Sequence, residues 1–168
     1  MIERVISGFQ TGVDQGAITA ASLAGIPTGG WIANGWLTED GAMKRRAEEL
    51  GLKECPIAGW AARTEMNVRD SDGTLILNPF KSPQGGTYTT LCCCESMEKP
   101  RLVLNGFVGS RQEITKFMRW LDENPEVRLL NVAGPRESKW PGIQERAFVW
   151  MLEALGELSD RQVMNDHG

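Results

Sequence analysis

The sequence predicts an α/β protein built on a doubly wound, mostly parallel sheet of about five strands with helices on both faces. Short apolar runs alternate along the chain with longer segments of helical pattern, which is typical of βαβ units. The run at 74–77 is apolar throughout, and strands of that kind are covered on both faces. The length of 168 residues fits one domain, so we expect a single domain over 1–158 and a polar C-terminal tail over 159–168.

The order of the elements follows from these runs. Strands are expected at 5–6, 26–27, 74–77, 101–104 and 127–132. Helical patterns lie between or after them, at 14–24, 42–50, 87–98, 110–123 and 141–155. The segment at 31–65 is rich in Gly, Ala and Trp, and we expect it to mix loops with one or two helices.

Capping residues mark several helix ends. Gly25 and Gly51 are expected just after the first and second helices, where a left-handed residue ends a helix. Ser110 and Glu113 have the spacing of a capping box at the start of the fourth helical pattern. Pro141 suits the first turn of the last helix.

Composition and charge exclude several classes of protein. The net charge is −4, and the one tight basic cluster, 44–46, is followed at once by Glu48 and Glu49, which indicates a solvated helix face. Duplex nucleic acid is therefore not the expected partner. No apolar run approaches the roughly 20 residues of a membrane span, and the N-terminal segment lacks a signal-peptide pattern. We therefore expect a cytoplasmic protein with no membrane partner.

Cysteine and histidine usage argues against a metal site. The four cysteines are Cys55 and the run 92–94, and neither forms a CxxC spacing. Successive side chains on a helix point about 100° apart, so the three cannot converge on one metal. We expect small buried hydrophobes in a reduced compartment. The single histidine, His167, lies in the C-terminal tail, which disfavours a buried histidine base or an imidazole-ligated metal.

Three glycine- or proline-containing turns follow predicted strands and run toward helices. In open α/β sheets, ligands bind outside the carboxyl ends of the strands, where these turns would meet. Glycine lets backbone N–H groups approach an anion, and a helix N-terminus attracts negative charge. The sequence therefore predicts a site for a small phosphorylated or oxyanion ligand, with Arg136 as a cationic partner. Its candidate residues are Gly8, Gln10, Thr11, Gly12, Gly85, Gly86, Thr87, Gly134, Arg136 and Ser138.

Two further polar features have open interpretations. Arg63, Asn67 and Asp70 fall on one helix face, which is either a solvated face with internal ion pairs or a ligand-binding face. Asp14 either caps the first helix or bonds a ligand hydroxyl. Asp14 and Asp70 are also the candidate catalytic carboxylates.

Aromatic residues raise two alternatives of their own. Four tryptophans in irregular stretches either pack in the core or at an interface, or stack on a flat heterocycle: Trp31, Trp36, Trp60 and Trp140. The last two helices hold a second aromatic group, which either covers the sheet in a monomer or forms an interface. From that group we expect a homodimer or larger homo-oligomer; its members are Phe117, Trp120, Phe148, Trp150 and Met151.

Long motifs resemble one family. They are SGFQTGVDQGA at 7–17, GIPTGGW at 25–31, RTEMNVRDSDGTLIL at 63–77, the Gly85-Gly86-Thr87 turn, Lys99-Pro100 before a strand, NVAGPRES at 131–138 and PGI at 141–143. Together they resemble the "putative molybdenum carrier" family, the circularly permuted YpsA-like branch of the SLOG superfamily, over roughly residues 4–150.

The resemblance implies a Rossmann-like sheet, an oligomeric habit and a nucleotide-type ligand at the crevice. It also implies kinship with molybdenum-cofactor carrier proteins and with nucleoside-monophosphate phosphoribohydrolases once called lysine decarboxylases. A molybdenum cofactor or a nucleotide as the bound group is implied by this resemblance alone. Two functions follow: a carrier or sensor that binds such a ligand, or an N-glycosidase acting on nucleoside monophosphates.

One departure bears on catalysis. The hydrolase relatives have a GGxGTxxE turn with a catalytic Glu, whereas this chain reads GGTYTTLCCCE, which puts Thr90 or Cys92 at that position and Glu95 further along. N-glycosidic cleavage needs a carboxylate to stabilise the developing sugar cation or activate water. Here that group would be one of Asp14, Asp70, Asp72 and Glu137.

Overall fold

The computed structural model of the protein describes residues 1–166, which form eight strands, six α-helices and one short 3-10 helix at Asn34–Trp36. The strands are β1 (Arg4–Ile6), β2 (Thr28–Ile32), β3 (Leu37–Thr38), β4 (Gly41–Ala42), β5 (Leu52–Glu54), β6 (Gly73–Asn78), β7 (Arg101–Asn105) and β8 (Leu129–Ala133). The helices are α1 (Val13–Leu23), α2 (Lys44–Glu49), α3 (Trp60–Asp70), α4 (Gly85–Ser96), α5 (Arg111–Glu123) and α6 (Ile143–Asp166).

Six strands form a parallel sheet in the order β5-β2-β1-β8-β6-β7. Every strand pair in it is parallel, as the apolar runs predict. β3 and β4 form a separate antiparallel ribbon. All six residues of β6 are buried, so helices cover both of its faces. The fold is thus the predicted α/β, Rossmann-like sheet.

Helix packing places small residues where two helices approach most closely. α6 packs along α1, and a Cβ at Gly16 would lie 2.4 Å from the backbone oxygen of Gln144. Any side chain larger than hydrogen at Gly16 would therefore push α6 away from α1. A second pair of helices, α3 and α4, also packs together.

Most predicted elements are present, and most capping residues act as expected. Pro141 is an exception: α6 begins at Ile143, so Pro141 precedes the first turn of the helix. Ser110 and Glu113 form a complete capping box at α5. Gly25 and Gly51 follow the ends of α1 and α2 with φ of +75° and +77°. In the basic cluster, Arg45 and Arg46 pair with Glu49 on the solvated surface of α2.

Several elements differ from the prediction. The ribbon of β3 and β4 lies in the segment at 31–65, where only loops and one or two helices are predicted. The second strand begins at Thr28, because its backbone pairs at Gly29 and Gly30 rather than at the apolar Ile26. The three-residue edge strand β5 was missed, since Leu52–Glu54 has too few apolar residues to mark it. α6 continues to Asp166, so most of the segment predicted as a tail is helical, and His167 lies outside the described residues.

The aromatic group of the last two helices belongs to the core of one chain. Phe117, Trp120, Trp150 and Met151 are buried, and Phe148 is half-buried. These side chains cover the sheet and leave no exposed aromatic patch, so the homo-oligomer stays a prediction without their support. None of the described helices combines the length and apolar character that a membrane span needs.

Candidate functional site

The centre of the sheet creates a crevice at its carboxyl edge. In the sheet, β2 lies on one side of β1 and β8 lies on the other, next to β6. The strand order therefore changes direction at β1, which makes this place a topological switch point. Ligands bind at such a switch point in open α/β sheets. A cavity of about 660 Å³ opens there between the segments that follow β1, β6 and β8.

Eight of the predicted site residues line this cavity. They come from all three turns and from α3, so the structure brings together segments far apart in sequence: Gln10, Asp14, Arg63, Gly85, Gly86, Thr87, Gly134 and Arg136.

Six predicted site residues are not part of the lining of the cavity. Two of them are glycines required by close packing. A Cβ at Gly8 would lie 1.5 Å from Arg63 Nη1, and a Cβ at Gly12 would lie 2.3 Å from the Pro135 oxygen. The others bond protein groups instead of facing the cavity: Thr11, Asn67, Asp70 and Ser138.

The N-terminus of α4 presents free backbone donors to the cavity. Gly85 and Gly86 are the first two residues of this 12-residue helix. Within the described chain their N–H groups have no partner, whereas Thr87 N–H donates to the Gln84 oxygen at 3.1 Å. A Cβ at Gly86 would meet no atom within 4 Å, and its φ is ordinary, so no packing or backbone constraint requires glycine there. The missing side chain leaves room in the cavity.

The first turn uses its donors internally. The N–H of Gln10 donates to Asp14 Oδ2 at 3.4 Å, and that of Thr11 donates to Gln10 Oε1 at 3.0 Å. The N–H of Gly12 donates to Gln144 Oε1 at 2.8 Å. These amides shape the loop, in contrast to the N–H groups of Gly85 and Gly86.

Asp14 and Arg63 form a salt bridge in the cavity wall. Arg63 Nη1 lies 3.0 Å from Asp14 Oδ2, and the side chains are 12% and 5% exposed. Burial raises the pKa of Asp14 from its ordinary 3.8 to about 6, although Arg63 acts to lower it. Gly12 is the N-cap of α1, so Asp14 does not cap that helix through its side chain. The buried Nε of Arg63 has no partner among the described residues.

Two more cations face the cavity. Lys139 makes no ion pair with a described residue, and Arg136 Nε lies 3.5 Å from Glu39 Oε2. Asp14 is the carboxylate among the described lining residues. Cationic side chains therefore outnumber carboxylates around the cavity, which favours an anionic ligand.

Aromatic rings form another part of the wall. Trp60, 45% exposed at the start of α3, and the half-buried Phe80 both line the cavity. Trp140 packs edge-on against Phe80, with ring centroids 5.1 Å apart. An exposed ring beside a polar cavity can stack on a flat heterocycle.

The polar face of α3 has a split role. Asn67 donates to the Trp31 oxygen at 2.9 Å and accepts from the Trp31 N–H at 2.8 Å, which holds α3 to β2. Asp70 accepts from Trp31 Nε1, and a hydrogen bond from Arg69 is the main cause of its lowered pKa. Of this face, Arg63 reaches the cavity.

The hydrolase-type acid is absent from α4. Thr90 lines the cavity and donates to the Gly86 oxygen at 3.1 Å, Cys92 is half-buried, and Glu95 pairs with Arg101 at 3.1 Å. A carboxylate reaction here would depend on Asp14.

Sequence reasoning missed Phe80, Lys139 and Glu39. Phe80 and Lys139 lie in the same turns as predicted residues, so a wider reading of those turns would have found them. Glu39 lies in the β3–β4 ribbon, 28 residues from Thr11 and 99 from Ser138, and no local pattern marks it.

Two comparisons place the chain among known proteins. The model of the circularly permutated YpsA SLOG family matches residues 5–155. A crystal structure of a "putative molybdenum carrier protein" from Syntrophus aciditrophicus SB is 36% identical, with a TM-score of 0.82, over 92% of this chain and 94% of that one. Among curated proteins, none matches this chain.

Proposed function

Because this chain belongs to the circularly permutated YpsA SLOG family, as its motifs predict, we propose that it binds a phosphorylated heterocycle at the carboxyl edge of its sheet. The ligand class is a nucleotide or a pterin phosphate such as the molybdenum cofactor, and the role is that of a cytoplasmic carrier or sensor. The related crystal structure bears the molybdenum carrier name, which makes molybdate and pterins part of the test.

The observation that carries the proposal is the start of α4. Gly85 and Gly86 offer two unpartnered N–H groups to the cavity, and the helix adds its partial positive charge. Gly86 leaves space that a side chain would fill. Arg136 and Lys139 add cationic donors from the turn after β8. An oxyanion or phosphate fits this set of donors.

The aromatic wall supports the second half of the ligand. Trp60 and Phe80 line the same cavity as the α4 glycines. A phosphate alone would bind the free amides but would not contact the aromatic rings. A ligand with a flat heterocycle and a phosphate would contact both the rings and the amides.

A thermal-shift screen tests the proposal. The panel holds nucleotides, pterins, molybdate and tungstate. A ligand at a hundred times its Kd adds about 2.7 kcal/mol, which for this chain length corresponds to a Tm rise of roughly 5–10 °C.

Two variants locate the binding site. Gly86→Val fills the cavity and Arg136→Ala removes a cation, so each should weaken the ligand that the screen finds. The matched control is Gly156→Val in α6, where a side chain also meets no atom within 4 Å but lies outside the cavity. If no ligand stabilises the protein, or if both site variants keep the original affinity, the proposed site is wrong.

One observation favours a second function, an N-glycosidase acting on nucleoside monophosphates. Asp14 is a buried carboxylate in the cavity wall, and its pKa of about 6 suits general acid–base work near neutral pH. It would take the part of the acid that α4 lacks.

Free-base release from AMP, followed by chromatography, separates the two functions. If the chain is a hydrolase, Asp14→Asn should lower turnover at least about 100-fold. Asp70→Asn is the matched control, because Asp70 is exposed and lies outside the cavity lining. Tight binding without base release would leave the carrier or sensor role.

A further inference from the structure

Glu39 places a carboxylate inside a set of donors that would suit an external anion. Its Oε1 accepts from Thr11 Oγ1 and from the Ser138 N–H at 3.1 Å. Its Oε2 accepts from Ser138 Oγ and lies 3.5 Å from Arg136 Nε. Two hydroxyls, one amide and one guanidinium thus converge on a single carboxylate.

These donors come from two of the turns that form the crevice. Thr11 follows β1, and Arg136 and Ser138 follow β8, whereas Glu39 comes from the β3–β4 ribbon. The Glu39 side chain is 17% exposed and that of Arg136 is 42% exposed. The ribbon is short and pairs through two residue pairs, so it is a minor part of the fold.

Arg136 therefore lies between Glu39 and the cavity. It lines the cavity, where the ligand anion would bind, and its Nε already lies near Glu39. A guanidinium has further N–H donors, but a charge shared with one carboxylate attracts a second anion less strongly. The hydrogen bonds from Ser138 and Thr11, working against its burial, keep the pKa of Glu39 below its ordinary value.

We propose that Glu39 is an internal competitor for the ligand anion at Arg136. Ligand binding at this site requires Arg136 to exchange Glu39 for the incoming phosphate, so Glu39 lowers the affinity of the crevice for that phosphate. This inference rests on the proposed anion site and adds its regulation.

Glu39→Gln tests the competition. The amide retains an acceptor oxygen for Ser138 and Thr11 but removes the negative charge that Arg136 faces. Inorganic phosphate is the probe, titrated calorimetrically at constant ionic strength. Exposed and partly buried ion pairs are worth up to about 1 kcal/mol, so phosphate should bind about two- to fivefold more tightly to the variant.

Two further variants make the result specific. Glu48→Gln changes the net charge equally from an exposed position on α2, and should leave phosphate affinity unchanged. The double variant Glu39→Gln/Arg136→Ala should bind phosphate no more tightly than Arg136→Ala alone, because the competition acts through Arg136.

The outcomes separate this inference from the proposed function. If the wild type binds phosphate and Glu39→Gln binds it equally or more weakly, the role of Glu39 is structural and the competition is refuted. If neither binds phosphate, the anion site itself fails, and the inference with it. Should Glu39→Gln not fold, a wild-type structure with phosphate decides: the competition requires Arg136 Nε to move away from Glu39, and an unchanged contact overturns it.

Discussion

Arg63 and Asp14 lie 3.0 Å apart, from Nη1 to Oδ2, and join α3 to α1 through two nearly buried charges. The guanidinium fits there because residue 8 is glycine, and a Cβ at Gly8 would overlap Arg63 Nη1. This pair connects the first turn to the polar face of α3, and the pKa of its carboxylate is raised.

Asp14 should give the protein a measurable pH dependence of stability. Its folded pKa of about 6 exceeds the ordinary 3.8, mainly because of burial, so the folded state holds the proton more tightly. The resulting stabilisation is complete below the unfolded pKa and is lost as pH rises through about 6. The difference corresponds to about 3 kcal/mol.

Urea unfolding of the wild type and Asp14→Asn checks this. The stability of the wild type relative to the variant should fall by about 3 kcal/mol between pH of about 3 and about 7. Glu39 and Asp70, whose pKa values are lowered, act with the opposite sign in both proteins and cancel in the difference. A constant difference across this range would contradict the assignment.

How much the sequence could predict depends on where each signal lies. β6, β7 and β8 contain runs that are nearly all apolar, and the positions of these strands follow from the runs to within two residues. β2 has two glycines, and a Cβ at Gly30 would lie 2.3 Å from the Ser7 oxygen, so its sequence reflects close approach rather than apolar packing. No hydrophobic pattern can reveal such a strand.

The same reasoning applies to the candidate site. Parallel topology alone brings the three turns to one edge, so eight of the residues that line the cavity could be predicted. Which amides remain free could not, because the first turn bonds to Asp14 and to Gln144 on α6. The role of Glu39 depends on contacts with Thr11 and Ser138 far away in the chain. Both the free amides and the role of Glu39 therefore depend on tertiary contacts, which no local sequence pattern reveals.

Gly86→Ala should separate stability from binding. The position lies in the first turn of α4, its φ is ordinary and a Cβ there meets no atom. Alanine loses less backbone entropy, so the ligand-free protein should gain about 0.5 kcal/mol. Ligand affinity should fall because the methyl group enters the cavity.

Gly156→Ala is the matched control, since Gly156 is a helix position with equally open space. It should gain similar stability in urea unfolding and keep full ligand affinity. Equal affinity in both variants would mean that the opening at Gly86 is not used by the ligand.

Asn67→Ala should act on the fold more than on the ligand. Asn67 is 2% exposed and bonds both backbone groups of Trp31. Its loss leaves two polar groups of β2 without partners and should cost about 2 kcal/mol. Urea unfolding measures this, with Glu65→Ala, an exposed residue of the same helix, as the control. A cost no larger than that of the control would refute the role of Asn67 in joining α3 to β2.

Trp60→Leu should weaken binding of the heterocycle and spare the anion. Trp60 is 45% exposed and lines the cavity, and Arg63 Cζ lies 6.0 Å from its ring centroid. Stacking of a base on an aromatic side chain is worth about 1–3 kcal/mol, so AMP affinity should fall roughly 5- to 150-fold. Inorganic phosphate has no ring, and its affinity should stay the same.

The control is Ile57→Ala, at an exposed apolar residue just before α3 and outside the cavity lining, which should change neither affinity. Equal losses for AMP and phosphate would show that Trp60 supports the anion site through its neighbours and does not stack on the ligand.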